Sequence, residues 1–212
     1  MASFFTQEKF KKLPVIGIVR GLTVDEVIPL VKCYLQAGFH TLEVTWNSPG
    51  VQDTIRHLIH EFGEDLQIGA GTILSHDDME RALNAGARFI VTPIVDAGVI
   101  TASVDQRIPI FPGAYTPTEI HHAWRLGATA VKLFPAEIGG LAYVKSVLAP
   151  LSSVPVLPTG GVSPENVLDF LAAGVFGVGM GSQLFPKAYL QTKNWTGLTS
   201  YLGQLQHKIT SR

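Results

Sequence analysis

The sequence predicts an α/β fold in which strands alternate with single helices. Eight apolar segments have the length and composition of buried strands, and their starts lie roughly 20 to 27 residues apart. These segments are residues 14–19, 41–44, 67–71, 88–92, 108–111, 128–133, 154–157 and 175–178. The intervals between them, such as 24–31 and 77–83, have helical periodicity, which is typical of parallel βα units. Eight such units in 212 residues favour a (β/α)8 TIM barrel over an open doubly wound sheet.

The ends of four predicted helices share one feature. A small or apolar residue precedes glycine just before the next strand, at Ala37-Gly38, Ala85-Gly86, Leu126-Gly127 and Ala173-Gly174. Glycine readily adopts the left-handed conformation that often ends a helix. No linker or change of composition divides the chain. We therefore expect one (β/α)8 barrel domain over residues 1–212, with a short N-terminal helix at about residues 3–12.

Composition and charge narrow the functional classes. Only 16% of residues are charged and the formal net charge is −1, which argues against nucleic acid or a membrane as the main partner. Cys33 is the only cysteine, so no disulfide framework is expected, as is typical of a reducing compartment. Residues 1–13 lack the apolar core of a signal peptide, and the apolar run 170–180 is too short to span a bilayer. We expect a soluble cytoplasmic protein.

The carboxyl ends of the predicted strands carry the candidate functional residues. In a (β/α)8 barrel these ends meet at one face, where active sites lie. In chain order they carry Arg20, Glu43, Thr72, Pro93, Gly113, Lys132, Phe134, Gly160, Gly161, Gly181 and Ser182.

Lys132 is the most informative of these residues. It lies in an apolar strand that ends at Pro135, and it shares a strand face with Ala130 and Phe134. Burial lowers the pKa of a lysine, and a partly neutral lysine attacks carbonyl carbons. A lysine paired with a buried carboxylate, or one that reaches water from the strand end, is the structural alternative.

Glu43 is predicted to face the same interior as Lys132. The strand period places it with Thr41 and Thr45, opposite Leu42 and Val44. The same period places Arg20 on the face of Ile16 and Ile18 in the first strand. An acid and a lysine that both point inward suit proton transfer and nucleophilic catalysis, whereas a purely structural ion pair is the alternative.

The last two strand ends predict a phosphate site. Gly160-Gly161 precedes Ser163-Pro164, a pattern typical of an N-cap serine with proline at the first helical position. Backbone N–H groups at a glycine-rich helix start bind anions. Gly181 and Ser182 offer a second set of donors from the neighbouring loop. Each segment alone is also compatible with a plain turn, but together they favour a phosphate ligand.

Five motifs resemble those of the 2-keto-3-deoxy-6-phosphogluconate (KDPG) aldolase family, which also includes 4-hydroxy-2-oxoglutarate (KHG) aldolases. They occur in the family's order over roughly residues 13–185 and comprise Leu42-Glu43-Val44-Thr45, Gly69-Ala70-Gly71-Thr72, Phe111-Pro112-Gly113, residues 131–137 and Pro158-Thr159-Gly160-Gly161-Val162. The resemblance implies a homotrimeric class I aldolase, an aldehyde-lyase that forms a Schiff base and needs no metal or other cofactor. Its implied partners are a phosphorylated 2-keto-3-deoxy sugar acid and pyruvate.

The resemblance also assigns roles to individual residues. It implies that Lys132 forms the imine, that Glu43 is the acid and base, and that pyruvate and phosphate are bound by two further groups. The pyruvate pocket comprises Thr72, Pro93 and Phe134, and the phosphate contacts come from Gly160, Gly161 and Ser182. The implied reaction cleaves KDPG to pyruvate and glyceraldehyde 3-phosphate, as in the Entner–Doudoroff pathway. Cleavage of KHG to pyruvate and glyoxylate and the pathway served stay open.

One departure from the family pattern affects the substrate. Many members have an arginine two residues after the Glu-Val-Thr stretch, where this chain has Asn47 in the run Trp46-Asn47-Ser48-Pro49. Arg20 is the expected replacement for that carboxylate contact. The run is also similar to the branch that cleaves the 6-phosphogalactonate epimer. The resemblance therefore leaves the sugar epimer open.

Other classes of protein remain as alternatives. A phosphosugar isomerase or synthase on the same barrel would share the phosphate site without needing an imine, and a non-catalytic sugar-phosphate binding protein would show no turnover. The pair Glu43 and Lys132 argues against both. The histidine pairs His57 with His60 and His121 with His122 lack recognised metal-ligand spacing, so no metal site is expected.

Overall fold

The computed structural model describes residues 5–211. Its strands are β1 Val15–Val19, β2 Thr41–Thr45, β3 Gln67–Gly71, β4 Ile90–Val91, β5 Ile110–Phe111, β6 Gly113–Ala114, β7 Val131–Leu133, β8 Val156–Pro158 and β9 Val178–Met180. Its helices are α1 Gln7–Lys12, α2 Val24–Gln36, α3 Val51–Phe62, α4 His76–Asn84, α5 Ala97–Asp105, α6 Pro117–Arg125, α7 Ala136–Leu148, α8 Val167–Ala172, α9 Lys187–Gln191 and α10 Trp195–Thr210.

The strands form a curled, parallel arrangement. One sheet has the order β5-β4-β3-β2-β1-β9, and a second has the order β6-β7-β8. Only Pro112 separates β5 from β6, so the chain passes directly from one sheet into the other. At the opposite edges, the Phe176 N–H donates to the Val156 carbonyl at 2.8 Å, and Thr159 forms a parallel bridge with Gly179. These contacts connect the strand segments of β8 and β9.

Each of the eight predicted strands overlaps an observed strand. The prediction of a single strand at residues 108–111 was incomplete, because the extended chain resumes after Pro112 as β6. Proline has no N–H to donate, which interrupts a strand ladder. The Pro112 carbonyl still accepts a hydrogen bond from the Lys132 N–H at 2.9 Å.

Alternate residues of the strands face two separate apolar clusters. Leu42 and Val44 pack in the larger cluster between strands and helices, whereas Ile16 and Ala130 belong to an inner cluster enclosed by the strands. This alternation follows from the two-residue period of a strand. The same alternation places Glu43, which lies between Leu42 and Val44, on the inner side, as the sequence predicts.

Helix α1 covers the inner cluster at the amino ends of the strands. Phe10 is fully buried, and its ring lies 5.2 Å from that of Phe176. The Thr6 N–H donates to Gln67 Oε1 at 2.6 Å, at the first residue of β3. The helix begins at Gln7 because Thr6 is its N-cap, whose hydroxyl accepts the Lys9 N–H. The predicted start at residue 3 lies outside the described residues.

Candidate active site

Lys132 occupies the middle of β7 and is enclosed by its neighbours. Its register partners are Gly113 on β6 and Leu157 on β8, and the residue is only 5% exposed. The ammonium lies 5.0 Å from the centroid of the Phe134 ring. Burial lowers the pKa of Lys132, the negative charge of Glu43 opposes that shift, and Arg20 adds to it. The amine is thus easier to deprotonate than that of a surface lysine.

Glu43 lies on β2 and faces the same interior. It is 2% exposed, and burial raises the pKa of its carboxyl, while the charges of Lys132 and Arg20 act against that shift. Its Oε1 has no hydrogen-bond partner among the described residues. No ion pair within 4.0 Å joins it to Lys132 in the described part of the chain. The two groups interact through space without the direct pairing that the structural alternative requires.

Gly71, at the end of β3, makes room for the Glu43 carboxylate. A Cβ atom at this position would lie 2.5 Å from Glu43 Oε1, which is closer than atoms can approach. The sequence analysis placed Gly71 at a strand end but gave it no role in the site. A glycine at the last residue of a strand is compatible with many uses, so only the packing identifies its role.

Arg20 and Thr72 meet above these two groups. Arg20 Nη2 donates to Thr72 Oγ1 at 3.5 Å. The backbone of Thr72 has a φ of +60°, which is rare for a β-branched residue and persists only where the surroundings hold it. The pair therefore presents a guanidinium and a hydroxyl at a defined place beside the buried amine.

A cavity of about 200 Å³, which we call the lysine cavity, brings most of the predicted residues together. Its walls include Arg20, Lys132, Phe134, Gly160, Gly161, Gly181 and Ser182. Glu137 also lines it, a residue within a recognised motif to which the sequence analysis gave no role. Because the cavity joins a buried amine to two glycine-rich loops, it can hold an elongated anionic molecule with one end at the amine.

Four predicted residues, Glu43, Thr72, Pro93 and Gly113, lie outside the lining of this cavity. Glu43 is close enough to Lys132 and Arg20, which line the cavity, for their charges to act on its carboxyl. Thr72 accepts a hydrogen bond from Arg20. Pro93 is half-buried and its backbone packs so closely on Gly113 that a side chain there would overlap it. Since Gly113 is opposite Lys132 in the β6–β7 ladder, Pro93 lies one strand away from the amine.

The loop after β8 differs in detail from the prediction. Gly160 and Gly161 have φ values of +93° and +71°, which glycine adopts without strain. The assignment of Ser163 as a helix N-cap was wrong, because α8 begins at Val167 with Asn166 at the N-cap. The Asn166 side chain folds back instead, accepting the Ser163 N–H at 2.8 Å and donating to the Gly161 carbonyl at 2.9 Å. Asn166 thus fixes the glycine loop.

The run that departs from the family pattern supports the site from outside. Asn47 is exposed and does not line the lysine cavity. The Trp46 indole N–H donates to Asp78 Oδ1 at 2.8 Å, which anchors that ring on α4. Ser48 is buried, and its hydroxyl accepts the Gly21 N–H at 2.9 Å, next to Arg20. Ser48 was not singled out from the sequence, and nothing in its pattern distinguishes it from a loop serine.

Three further observations concern the rest of the described residues. Within residues 5–211, no three His, Cys, Asp or Glu side chains are grouped so that they could hold a metal ion. Over the same range, no helix combines the length and apolar character that a bilayer crossing requires. A larger cavity of about 590 Å³ lies between α2 and α10, and none of the predicted site residues lines it.

A curled parallel α/β fold with a buried amine and a buried carboxyl at its carboxyl-end face has the groups of an enzyme that forms a Schiff base with a carbonyl compound. The family model for KDPG and KHG aldolase matches residues 6–201. The chain belongs to this family of aldolases.

Individual relatives agree with the family match. The chain is 38% identical to 2-dehydro-3-deoxy-6-phosphogalactonate aldolase of Escherichia coli, over 82% of this chain and 85% of that protein. It is 33% identical to 2-dehydro-3-deoxy-phosphogluconate aldolase of Haemophilus influenzae, over 91% and 92%. One similar solved structure is KDPG aldolase from Legionella pneumophila, with pyruvate captured as a covalent carbinolamine. The two structures superpose with a TM-score of 0.86 at 29% identity, over 94% of this chain and 97% of the other.

Proposed function

We propose that this protein is a class I aldolase that cleaves KDPG to pyruvate and glyceraldehyde 3-phosphate. The observation that carries the proposal is Lys132, a buried amine with a lowered pKa that lines a cavity and is not directly paired with a carboxylate. Such an amine is a nucleophile for a 2-keto carbon. Cleavage of KHG to pyruvate and glyoxylate would use the same groups, because that substrate has the same keto-acid end.

In the first stage, the neutral amine of Lys132 attacks the keto carbon of the substrate. The carbonyl oxygen takes up a proton to give a carbinolamine, and loss of water gives the iminium. Glu43 moves these protons, directly or through one water molecule. Its raised pKa suits this role, because a carboxyl that is easily protonated can both give and accept a proton near neutral pH.

In the second stage, the iminium accepts the electron pair of the broken carbon–carbon bond. Glu43 removes the proton of the C4 hydroxyl, the C4 aldehyde forms and the C3–C4 bond breaks, so glyceraldehyde 3-phosphate leaves. The enamine of pyruvate that remains on Lys132 is protonated at C3, and water hydrolyses the resulting imine. Pyruvate is released and the free amine is regenerated, so every proton and electron pair is accounted for.

The remaining predicted residues bind the two ends of the substrate. Arg20 takes the carboxylate, in place of the arginine that Asn47 replaces, and the pyruvate pocket comprises Thr72, Pro93 and Phe134. The contact of Arg20 with Thr72 supports this assignment, because it directs the guanidinium towards the region of Lys132. The backbone of Gly160, Gly161 and Gly181, together with the Ser182 hydroxyl, binds the phosphate. Binding energy at that end helps to orient the reacting bond.

We further propose that the strands close into one (β/α)8 barrel domain. The hydrogen bond and bridge between the β8 and β9 segments, and the direct passage from β5 to β6, support this closure.

A homotrimer is the proposed assembly in the cytoplasm. Exposed apolar side chains after the strands, such as Ile138 at 73% exposure, support self-association. Sedimentation equilibrium would give three times the chain mass of 22.9 kDa for a trimer.

The 6-phosphogalactonate epimer is the second candidate substrate. The identity to the Escherichia coli enzyme and the run Trp46-Asn47-Ser48-Pro49 favour it. The two epimers differ only at C4, the carbon whose hydroxyl Glu43 deprotonates in the proposed mechanism. Comparing kcat/KM for the two purified epimers separates the candidates, and the epimer with the higher value is the better substrate.

Borohydride trapping tests the Schiff-base mechanism. Pyruvate and borohydride should add a reduced pyruvate-sized mass to the peptide that contains Lys132, because borohydride reduces the imine to a stable amine. The Lys132→Ala and Lys132→Met variants should show no adduct and lose at least about 1,000-fold in kcat, since the covalent route is removed.

Lys145→Ala is the matched control, because Lys145 is an exposed lysine on α7 of the same chain. It should be trapped like the wild type. Folded wild-type protein that binds sugar phosphates but gives no adduct would exclude the Schiff-base mechanism and favour the isomerase or the binding protein.

A further inference from the structure

A second cavity, of about 440 Å³, adjoins the lysine cavity. We call it the outer cavity; its walls include Arg20, Leu22, Gly181, Ser182, Phe185 and Lys187. Arg20, Gly181 and Ser182 line both cavities. A group that contacts the Ser182 hydroxyl therefore lies at the boundary between the two and is accessible to side chains from either one.

The charges on the two sides of this boundary differ. Glu137 lines the lysine cavity on the side of the glycine loop, and a Cβ atom on Gly161 would lie only 2.5 Å from the Glu137 Cβ. The outer cavity has two cations in its lining, Arg20 and Lys187, and no carboxylate. A phosphate dianion at Ser182 would face the negative charge of Glu137 from the side of Gly161. The cations of the lysine cavity, Arg20 and Lys132, are assigned to the keto-acid end of the substrate, which leaves the outer cavity as the source of a balancing charge.

Lys187 is placed to supply that charge. Of the carboxylates that the structure describes, none forms an ion pair with it. The chain between Ser182 and Lys187 is compact, because the N–H groups of Leu184 and Phe185 both donate to the Gly181 carbonyl, at 2.9 and 3.0 Å. Leu184 and Phe185 are buried, which anchors the start of α9 beside the loop.

Arg20 cannot serve both ends of the substrate. In the proposed function it binds the carboxylate next to Lys132 and is hydrogen-bonded to Thr72. This leaves Lys187 as the other cation in the lining of the outer cavity. A lysine suits the task, because its flexible stem carries a compact point charge to a phosphate oxygen.

We propose that Lys187 is a specificity-determining residue that recognises the distal phosphate of the substrate from the outer cavity. The proposal rests on the proposed function, since it concerns the phosphorylated end of the same substrate. The contact is remote from the bond that breaks and is present in both the ground state and the transition state. The glycine loops orient the substrate, whereas the flexible, exposed side chain of Lys187 adds affinity equally in both states, so Lys187 lowers KM with little effect on kcat.

Substrate kinetics of Lys187→Met test the proposal. The KM for the phosphorylated keto-deoxy sugar acid should rise about 10- to 100-fold with kcat within about threefold, because a charge-assisted contact is lost. The KM for unphosphorylated KHG should change far less. Lys187→Arg should restore most of the affinity, since it keeps the charge.

Lys193→Met is the matched control. Lys193 is an exposed lysine six positions further on. It lines a neighbouring cavity of about 210 Å³ together with Asp25 and Glu26, and that lining includes neither Arg20 nor Ser182. Its removal changes the net charge equally and should leave KM within about twofold. Equal KM increases in the two variants, or equal increases for the phosphorylated and unphosphorylated substrates in Lys187→Met, would overturn the proposal.

Binding of inorganic phosphate separates this proposal from the proposed function. Calorimetric titration should give a weaker Kd for Lys187→Met than for the wild type, and this readout needs no turnover. If the wild type fails to trap pyruvate, the aldolase proposal fails while the phosphate titration still tests Lys187. Equal phosphate affinity in the two proteins, or no binding to either, would contradict the role of Lys187.

Discussion

Burial shifts the two ionisable side chains of the site in opposite directions. Desolvation disfavours the charged form of each, so the pKa of Lys132 falls while that of Glu43 rises. The two values approach each other, which makes a proton easy to pass between the groups and the substrate. Arg20 opposes the shift of Glu43 but reinforces that of Lys132, because it is a cation near both.

The pH dependence of imine formation should reveal these influences. The rate of pyruvate trapping at saturating pyruvate should rise with pH through the pKa of Lys132, with an inflection below the range of an ordinary lysine, since only the neutral amine attacks. Glu43→Gln should move the inflection to lower pH, because the carboxylate charge raises the pKa of Lys132. Arg20→Met should move it to higher pH, because the guanidinium lowers that pKa.

Both variants also alter other steps of the reaction. The diagnostic result is therefore the direction in which the inflection pH shifts, and not the size of the rate. Shifts of the same sign in the two variants, or an inflection that neither variant moves, would contradict the electrostatic account of Lys132.

At the scale of elements, strand β3 supports the site through two glycines with different neighbours. Gly71 faces the Glu43 carboxylate, whereas a side chain on Gly69 would overlap the Phe89 ring of the inner cluster. Neither glycine has a positive φ, so the missing side chain, and not the backbone conformation, is what matters at both positions. One strand thus leaves space for a functional group at one position and for core packing at the other.

Gly71→Ala should lower kcat about 10- to 100-fold, because displacing Glu43 by a fraction of an ångström to an ångström misplaces the proton-transfer group. Its free energy of unfolding should fall less than that of Gly69→Ala. The second variant overpacks the core and should lose about 1–3 kcal/mol, with less effect on kcat in the folded protein. Steady-state kinetics and urea denaturation measure both. The same effect of the two substitutions on kcat would show that Gly71 has no special relation to Glu43.

At the scale of the whole molecule, the candidate active site and the helix that covers the inner cluster lie at opposite ends of the strands. The lysine cavity is at the carboxyl ends, while α1 covers the amino ends and contributes Phe10 to the inner cluster. The Lys9 ammonium donates to the Asp65 carbonyl at 2.8 Å, which adds a second link between the helix and the start of β3. This arrangement separates the groups that stabilise the interior from those that react.

Phe10→Ala should therefore destabilise the fold and preserve the chemistry. Removing a fully buried phenylalanine should lower the free energy of unfolding by about 3–5 kcal/mol, through lost burial and the cavity left behind. The folded fraction should keep kcat within about threefold, because the site lies at the other end of the strands.

Lys11→Ala is the control, because Lys11 is exposed in the same helix, and it should change the free energy of unfolding by less than about 0.5 kcal/mol. Urea denaturation of the three proteins measures the difference, and similar midpoints for Phe10→Ala and the wild type would refute the role of α1.

Local patterns in the sequence were sufficient to predict the alternating strands and helices and the inward direction of Lys132 and Glu43. Both follow from the two-residue period of a strand and from the apolar residues around it. The family resemblance added roles for these residues and for the glycine loops, and the comparisons bear out the family.

The distances across the site required the packed structure. Ser163 satisfies the rule for an N-cap, yet α8 begins only at Val167, and the Asn166 side chain bonds to Ser163 and Gly161 instead of capping the helix. Gly71 and Lys187 carry no distinctive local pattern, because their importance depends on what neighbouring strands and loops bring next to them. Period and propensity act over a few residues, whereas the space around a carboxylate and the balance of charge across a cavity depend on residues far apart in the chain.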